Sequence, residues 1–340
     1  MNNIDQIKLA TNIEFFARQV VEGFITGKHK SPYHGFSVEF AEHKLYNTGE
    51  STRHIDWKLY ARSDKLFIKR FEEETNLRCQ LIVDTSSSMY YPNFSNISLE
   101  NPNKILFSIY ASAVLMQLFK KQRDAVGLTT YSNEIDDHII SKTSDRHHQI
   151  IYKKFEDILS INAKENQRKS STISSLHEIA DRINQRSLIV LFTDLIDDSS
   201  LDDVFDAFRH LKHKKNEVIL FYLSDVSKEK YLEFENKPYN FIDVESGESI
   251  KMNPHHYKEN YVSKMDSYLN EMRLKCLQYK IDLIEVDINK GYEQIITSYL
   301  LKRQKMFWVT KKSFKFAFLL ENGLVVQLVR IHACHAWGRG

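Results

Sequence analysis

The sequence predicts an α/β fold with a doubly wound, mostly parallel sheet of six strands, preceded by an N-terminal helical and extended segment. From residue 78 onward, short apolar runs alternate with longer segments of helical periodicity. Such alternation is typical of a parallel sheet with helices on both faces. Two of the runs, 125–132 and 136–143, are joined too closely for a crossover helix, so the second is expected to be an antiparallel edge strand.

The N-terminal segment has a different pattern. Residues 4–26 place apolar side chains near helical spacing, and Gly27 is suited to cap the end of that helix. Residues 28–74 contain short alternating pieces, which predict strands or extended segments between polar turns. We therefore expect a first part over residues 1–77 that differs from the sheet domain.

The sheet domain is expected over residues 78–307. Its strands are predicted from the apolar runs that begin at residue 78 and recur at 125–132, 136–143, 187–194, 217–225 and 281–288. Its helices are predicted at 103–121, 147–159, 172–184, 201–213, about 257–280 and 292–307, with a small hairpin at 239–252. Residues 308–340 break this pattern and are expected to form a tail outside the domain.

Composition narrows the class of protein. A net charge of +2 in 340 residues gives no overall attraction to nucleic acid or to a membrane surface. No run approaches the roughly 18 apolar residues that a membrane span needs, and the N-terminus lacks the features of a signal peptide. The three cysteines share no metal-ligand spacing and cannot all pair in disulfides, which favours a reducing compartment. From these features we expect a soluble, cytoplasmic protein without a membrane span and without a nucleic-acid partner.

Two predicted strands end in aspartate, LIVD at Asp84 and LIVLFTD at Asp194. Ligands of doubly wound sheets bind at the carboxyl ends of strands where the winding reverses, so neighbouring strands there would place both carboxylates in one crevice. Ser86 and Ser88 follow Asp84 at a spacing of two, and Thr172 can add a third hydroxyl from the start of a helix. Such hard oxygen ligands suit Mg²⁺ or Mn²⁺. The sequence therefore predicts a divalent-ion site.

Each of these residues also has a simpler structural explanation. The Asp-x-Ser-x-Ser run can be a hydroxyl-rich turn that caps the following segment. Thr172 can be a plain helix N-cap, a role that either of the two preceding serines can fill. Asp194, with two further aspartates downstream, can begin the next helix.

Two groups of residues in the sequence resemble motifs of known families. The run Asp-Thr-Ser-Ser-Ser at 84–88, Thr172 before a helix and Thr193-Asp194 after a strand resemble the metal-ion-dependent adhesion site of von Willebrand factor A domains. The order of strands and helices from 78 to 307 is similar too. Upstream, GFSVEFAEHKLYNTGESTRHIDWKLYARSDKLFIKRFEEE resembles the signature of a bacterial family catalogued as domain of unknown function 58. Lys44 and Glu50 depart from that signature, and both keep its charge.

We expect a binding module rather than an enzyme, because the predicted site has one or two carboxylates and no obvious base. Members of the family often lie beside MoxR-type AAA+ ATPases, so the implied function is a metal-dependent protein-interaction module that partners such an ATPase in assembly or chaperoning. The alternative is a metal-dependent hydrolase or phosphotransferase, because phosphatases of the haloacid type also place an aspartate after their first strand. That chemistry needs a second carboxylate two residues on, where Ser86 stands.

The charged and aromatic side chains of the signature segment have two interpretations. They can form an internal ion-pair network that holds the segment on the sheet, or a docking surface for a partner. The residues concerned are Arg53, Asp56, Trp57, Arg62, Lys69, Glu72 and Glu74.

Overall fold

The computed structural model describes residues 13–26, 40–46, 55–63, 65–71, 77–92, 97–160, 172–195, 200–243 and 248–301, within two compact units over residues 1–292 and 293–340. The strands are β1 (Phe40–Leu45), β2 (Phe67–Phe71), β3 (Arg78–Asp84), β4 (Ala125–Tyr131), β5 (Ile135–Lys142), β6 (Ser187–Thr193), β7 (Glu217–Ser224), β8 (Tyr239–Ile242), β9 (Ser249–Met252) and β10 (Asp282–Asp287). The helices of the first unit are α1 (Ile13–Thr26), α2 (Trp57–Ser63), α3 (Lys104–Lys121), α4 (Asp145–Ser160), α5 (Thr172–Arg182), α6 (Leu201–His213) and α7 (Pro254–Tyr279). In the second unit the structure describes one helix, α8, at 293–301.

The main sheet has six strands in the order β10-β7-β6-β3-β4-β5. Five strands run parallel, and β5 pairs with β4 in the antiparallel direction at the edge. This confirms the predicted six-stranded, mostly parallel sheet and its antiparallel edge. After β3 the chain continues to β4 on one side and later returns to β6 on the other, so the winding reverses between β3 and β6.

Helices cover both faces of the sheet. On one face, side chains such as Ile82, Leu191 and Leu220 pack in a buried cluster with α5, α6 and α7. Because successive side chains of a strand point to opposite faces, Leu81 and Val83 face the other side, where α3 contacts β3 and β4. Helix α1 also packs against α3. This double contact explains why the α3 sequence is apolar on almost every side.

The structure differs from the sequence prediction at two short helices. Helix α2 lies within the segment predicted to be extended, and a π-helix at Val226–Lys230 was not predicted. Each begins at an aspartate whose carboxylate accepts a backbone N–H. Asp56 accepts from Lys58 at 3.0 Å, and Asp225 accepts from Lys228 at 3.3 Å. Capping of this kind stabilises a helix that is too short to show apolar periodicity.

Several predictions concern residues that the structure does not describe. These are the first part of the N-terminal helix (4–12), the extended piece at 36–38, the end of the last helix (302–307) and the tail (308–340). The predicted domain limits at residues 77 and 307 stay predictions.

Gly127 in β4 lies where no side chain fits. A Cβ atom there would lie 2.5 Å from the carbonyl oxygen of Ile139 and would also collide with the side chain of Gln80. Gln80 is buried and donates hydrogen bonds to Thr129 Oγ1 at 2.8 Å and to that same Ile139 carbonyl at 3.2 Å. The backbone of β5 therefore approaches β4 closely because residue 127 is a glycine.

Gly127→Ala is expected to lower the free energy of unfolding by about 2 kcal/mol or more, because the β4–β5 pair must separate to admit the methyl group. Denaturant unfolding measures this effect. Gly23→Ala on α1 is the matched control: its Cβ would meet nothing within 4 Å, and alanine is favoured over glycine inside a helix. Equal stability of the two variants would contradict the prediction.

Candidate functional site

The two strand-end aspartates lie together where the winding of the sheet reverses, because β3 and β6 are neighbours. Both are almost fully buried. Asp84 Oδ2 accepts hydrogen bonds from Thr193 Oγ1 at 2.7 Å and from the Tyr131 hydroxyl at 3.3 Å. Asp84 Oδ1 accepts the backbone N–H of Ser86 at 2.9 Å. These donors come from three adjacent strands or their ends, and they hold the carboxylate in one orientation.

The two serines predicted to be ligands connect the two carboxylates. After β3 the chain enters a short 3₁₀ helix, Ser87–Tyr90, which brings Ser88 back beside Ser86. Their hydroxyl oxygens lie 3.1 Å apart, and Ser88 Oγ donates to Asp194 Oδ1 at 3.2 Å. Four of the five predicted site residues therefore form one contiguous set of oxygen atoms. The fifth, Thr172, begins α5, but its side chain lies outside the part of the chain that the structure describes.

Two further residues belong with this set of oxygen atoms: Lys104 contacts Asp194, and Glu229 contacts Lys104. We call the whole group the cluster. The sequence interpretation missed Lys104. It is the first residue of α3 and is fully buried. Its ammonium group contacts Asp194 Oδ2 at 2.8 Å and Glu229 Oε1 at 2.5 Å. A sequence signal for it existed, since a lysine in the first turn of a helix opposes the helix dipole and the rest of that helix is almost wholly apolar.

Glu229 is the second missed member and lies on the π-helix Val226–Lys230. Its Oε2 accepts the backbone N–H of Asp225 at 2.7 Å, while its Oε1 faces Lys104. Its backbone carbonyl accepts the hydroxyl of Tyr261, on α7, at 2.7 Å. The cluster thus extends from the strand ends to α7.

The electrostatics of the cluster show an excess of negative charge. Burial raises the pKa of Asp84 to about 6, and the nearby carboxylate of Asp194 contributes to that rise. Burial also raises the pKa of Glu229, although Lys104 opposes that shift. Burial alone would lower the pKa of Lys104, but the carboxylates of Asp194 and Glu229 outweigh it, so the pKa is raised. Lys104 is therefore an ammonium that shares the cluster with the carboxylates of Asp84, Asp194 and Glu229, and the charges of these four groups sum to −2 when all are ionised.

The donor set fits a hard divalent cation. Within the described ranges, no group of three or more His, Cys, Asp or Glu residues could hold a metal ion. The cluster instead offers two carboxylates and two hydroxyls, and oxygen ligands of this kind suit Mg²⁺ and Mn²⁺. A buried excess of negative charge is costly without a cation or a proton to balance it. Asp84, Ser86, Ser88 and Asp194 are therefore the residues that can hold such an ion.

The signature segment presents aromatic side chains to solvent. Asp56 is buried and caps α2, whereas the side chains of Trp57 and Tyr60 on that helix are 63% and 40% exposed. Their rings meet edge to face at 6.3 Å between centroids. Arg62 is exposed on the same helix. The side chains of the remaining signature residues considered above, Arg53, Lys69, Glu72 and Glu74, lie outside the described part of the chain.

Comparison with known proteins shows a match to one protein family. A family model described as "Protein of unknown function DUF58" matches residues 42–267. Uncharacterised proteins of Mycobacterium bovis and Mycobacterium tuberculosis are 30% identical over 90 residues, which are 26% of this chain and 28% of each relative. The match thus spans less than a third of the relatives' length.

Solved structures resemble the chain more distantly. The BatB protein of Bacteroides thetaiotaomicron has 13% identity and a TM-score of 0.42, and the alignment covers 68% of this chain and 99% of that one. An aerotolerance-related membrane protein of Bacteroides fragilis has 14% identity and a TM-score of 0.37, with 65% and 98% covered.

The expectation that the protein is cytoplasmic is contradicted by the descriptions of two of the similar structures. The Bacteroides fragilis protein is described as a membrane protein. An uncharacterised protein of Vibrio fischeri, at 12% identity, a TM-score of 0.21 and coverage of 67% and 98%, is described as membrane-spanning. The expectation rested on cysteine spacing and hydropathy, which do not record where a chain resides. Among the described residues, no helix has the length and apolar character needed to cross a membrane.

Proposed function

This chain belongs to the family described as protein of unknown function DUF58, and on that premise we propose that it is a Mg²⁺- or Mn²⁺-dependent protein-interaction module rather than an enzyme. In this proposal residues 78–307 form a von Willebrand factor A-like domain with a metal-ion-dependent adhesion site. Residues 1–77 comprise an N-terminal helix and the signature segment, and residues 308–340 are a tail outside the domain. The proposed partner is a MoxR-type AAA+ ATPase.

The observation that carries the proposal is the pair of buried carboxylates joined by two hydroxyls at the reversal of the sheet. Asp84 and Asp194 follow adjacent parallel strands, and Ser86 and Ser88 lie between them. This is where ligands bind in sheets of this topology. The antiparallel β5 at the edge of the sheet supports the von Willebrand factor A-like interpretation, because that arrangement agrees with the resemblance in element order.

The protein supplies few ligands, which leaves room for a partner. Asp84, Ser86, Ser88 and Thr172 would hold the ion directly, and Asp194 would act directly or through water. Thr193 and Tyr131 orient Asp84 for that task. A bound Mg²⁺ prefers six oxygen ligands and supplies a positive charge that attracts a carboxylate. An acidic side chain of a partner can therefore complete the site in place of water, and the attraction is strongest where the interface excludes solvent.

The first experiment measures ion binding itself. Isothermal titration of the purified protein with MgCl₂ and MnCl₂ is expected to show one site, and absence of binding would reject the proposal. Metal-dependent turnover of phosphoester substrates that is lost in Asp84→Asn would instead favour the hydrolase or phosphotransferase alternative.

Binding of the ATPase partner is expected to be lost in chelator and restored by Mg²⁺, because the partner's carboxylate has no cation to contact when the ion is removed. A pull-down with the MoxR-type ATPase in EDTA, in EDTA with excess Mg²⁺, and with Ser86→Ala/Ser88→Ala protein measures this. Removing one acidic residue of the partner should weaken the complex without changing ion affinity. Complex formation that survives chelator but is lost in Trp57→Ala would place the docking surface on α2 instead.

A further inference from the structure

We infer that Lys104 and Glu229 are a charge-setting pair: they fix the net charge of the ion site, and so its affinity for a divalent cation, without being ligands. This inference rests on the proposed function, because it concerns the same ion. It adds two residues that lie outside the Asp-x-Ser-x-Ser run and that no sequence motif connects to it. They act by position and charge on the proposed ligand Asp194.

The two carboxylate oxygens of Asp194 have different partners. The ammonium group takes Oδ2 at 2.8 Å, while Oδ1 faces the hydroxyl of Ser88 at 3.2 Å. Lys104 is fully buried at the start of α3, so its ammonium is held at the cluster by the packing of the helix. One oxygen of Asp194 is thus oriented toward the serines, and the other is occupied by an internal cation.

Glu229 contributes a negative charge to the site, but its contacts do not place it among the proposed ligands of the ion. Its Oε1 meets the ammonium of Lys104 at 2.5 Å, and its Oε2 accepts the N–H of Asp225 at 2.7 Å. None of its described contacts is with Ser86 or Ser88. Glu229 therefore offsets the positive charge of Lys104 rather than offering an oxygen to the ion.

Lys104 and Glu229 affect ion binding because each changes the net charge of the site. With Lys104 alone, the two ligand carboxylates and the ammonium would sum to −1, which underbalances a divalent ion. With Glu229 present the cluster is at −2, which one Mg²⁺ neutralises. Coulomb interactions between charges a few ångströms apart in a buried site are strong enough to change affinity tenfold or more. The Mg²⁺ affinities of variants at these two residues should then follow the net charge of the site rather than the geometry of its ligands.

The test is calorimetric titration with MgCl₂ on four proteins at about pH 8, which is far above the reference pKa values of carboxyl groups. Glu229→Gln brings the cluster to −1 and should weaken Mg²⁺ binding at least about tenfold. Lys104→Met brings it to −3 and should strengthen binding about tenfold. The double variant returns to −2 and should bind within about threefold of the unmodified protein, because to first order its charge is unchanged.

Matched controls make the same substitutions at surface ion pairs. Lys120→Met on the same helix breaks the ion pair with Asp145, and Glu235→Gln breaks the ion pair with Lys237. Neither should change Mg²⁺ affinity. Thermal unfolding with and without Mg²⁺ provides a second readout: the ion-induced rise in melting temperature should follow the same order, because a ligand that binds only the folded state stabilises it more when it binds more tightly.

The possible outcomes separate this inference from the proposed function. If the unmodified protein binds no Mg²⁺, the proposed function fails and the inference fails with it. If the unmodified protein binds but both single variants weaken binding and the double variant weakens it further, the pair is merely structural and the inference alone is overturned. If Lys104→Met does not fold, Glu229→Gln and the double variant still decide: unchanged affinity in Glu229→Gln overturns the inference, and loss with recovery in the double variant supports it.

Discussion

Asp84→Asn is expected to abolish divalent-ion binding while making the ion-free protein more stable at neutral pH. The folded protein holds an ionised Asp84 against burial and against the charge of Asp194, which raises its pKa from 3.8 to about 6. An asparagine removes that cost. Its amide oxygen can still accept the N–H of Ser86, and the hydroxyls of Thr193 and Tyr131 can rotate to accept from its amide nitrogen.

The size and the pH dependence of this effect follow from the raised pKa. The folded state binds the Asp84 proton more tightly than the unfolded chain does, so the proton's stabilising contribution is complete below pH 3.8. It is lost as the pH rises through about 6. A shift of this size corresponds to about 3 kcal/mol of unfolding free energy. Asp84→Asn should therefore exceed the unmodified protein in stability by up to about 3 kcal/mol at neutral pH, and by much less at about pH 4.

Denaturant unfolding in EDTA at several pH values measures this difference, and titration with Mg²⁺ measures the loss of binding. Asp206→Asn, which alters an exposed ion pair with Arg209, is the matched control and should change neither property. A less stable Asp84→Asn protein at neutral pH would show that the carboxylate is needed for the fold. Retained Mg²⁺ affinity would show that the ion binds at another site.

Lys104→Met is expected to destabilise the ion-free protein by about 3–5 kcal/mol, because it leaves the buried carboxylate of Asp194 and the partly buried carboxylate of Glu229 without their cation. The substitution removes the ion pairs that the ammonium group makes with Asp194 and Glu229. Methionine is similar in length to the lysine side chain and apolar, so the packing around the buried stem is largely kept. The fall in stability should therefore report charge rather than a cavity.

Denaturant unfolding in EDTA measures this fall, with two comparisons. Lys104→Met combined with Glu229→Gln should recover part of the stability, because only one of the two carboxylates then lacks a cation. Lys120→Met, which breaks a surface ion pair on the same helix, should cost no more than about 1 kcal/mol. A Lys104→Met protein as stable as Lys120→Met would contradict the structural description of the cluster.

Much of the fold and all five candidate site residues were predicted from local patterns, and the structure brings together the four whose side chains it describes. The six strands of the main sheet are predicted within a residue or two, and five of them are short, largely apolar runs bounded by polar residues. The antiparallel edge follows from the short connection between β4 and β5. The position of Asp84 and Asp194 at strand ends is also local, and so is the turn that places Ser86 beside Ser88.

The order of the strands is not local, and only the tertiary structure placed Asp84 and Asp194 side by side, since β3 and β6 are far apart in the chain. The same is true of Lys104, which lies 90 residues from Asp194, and of Glu229, whose π-helix depends on a single aspartate cap. Burial decides what such residues do. A lysine at a helix start is ordinary when solvated, but a buried one needs carboxylates as partners, and those partners come from whichever strands and helices the sheet brings together. Local sequence patterns are therefore enough to predict the strands, the turn and the oxygen donors. The charge balance around those donors depends on the tertiary structure, because electrostatic contacts depend on distance in space and not along the chain.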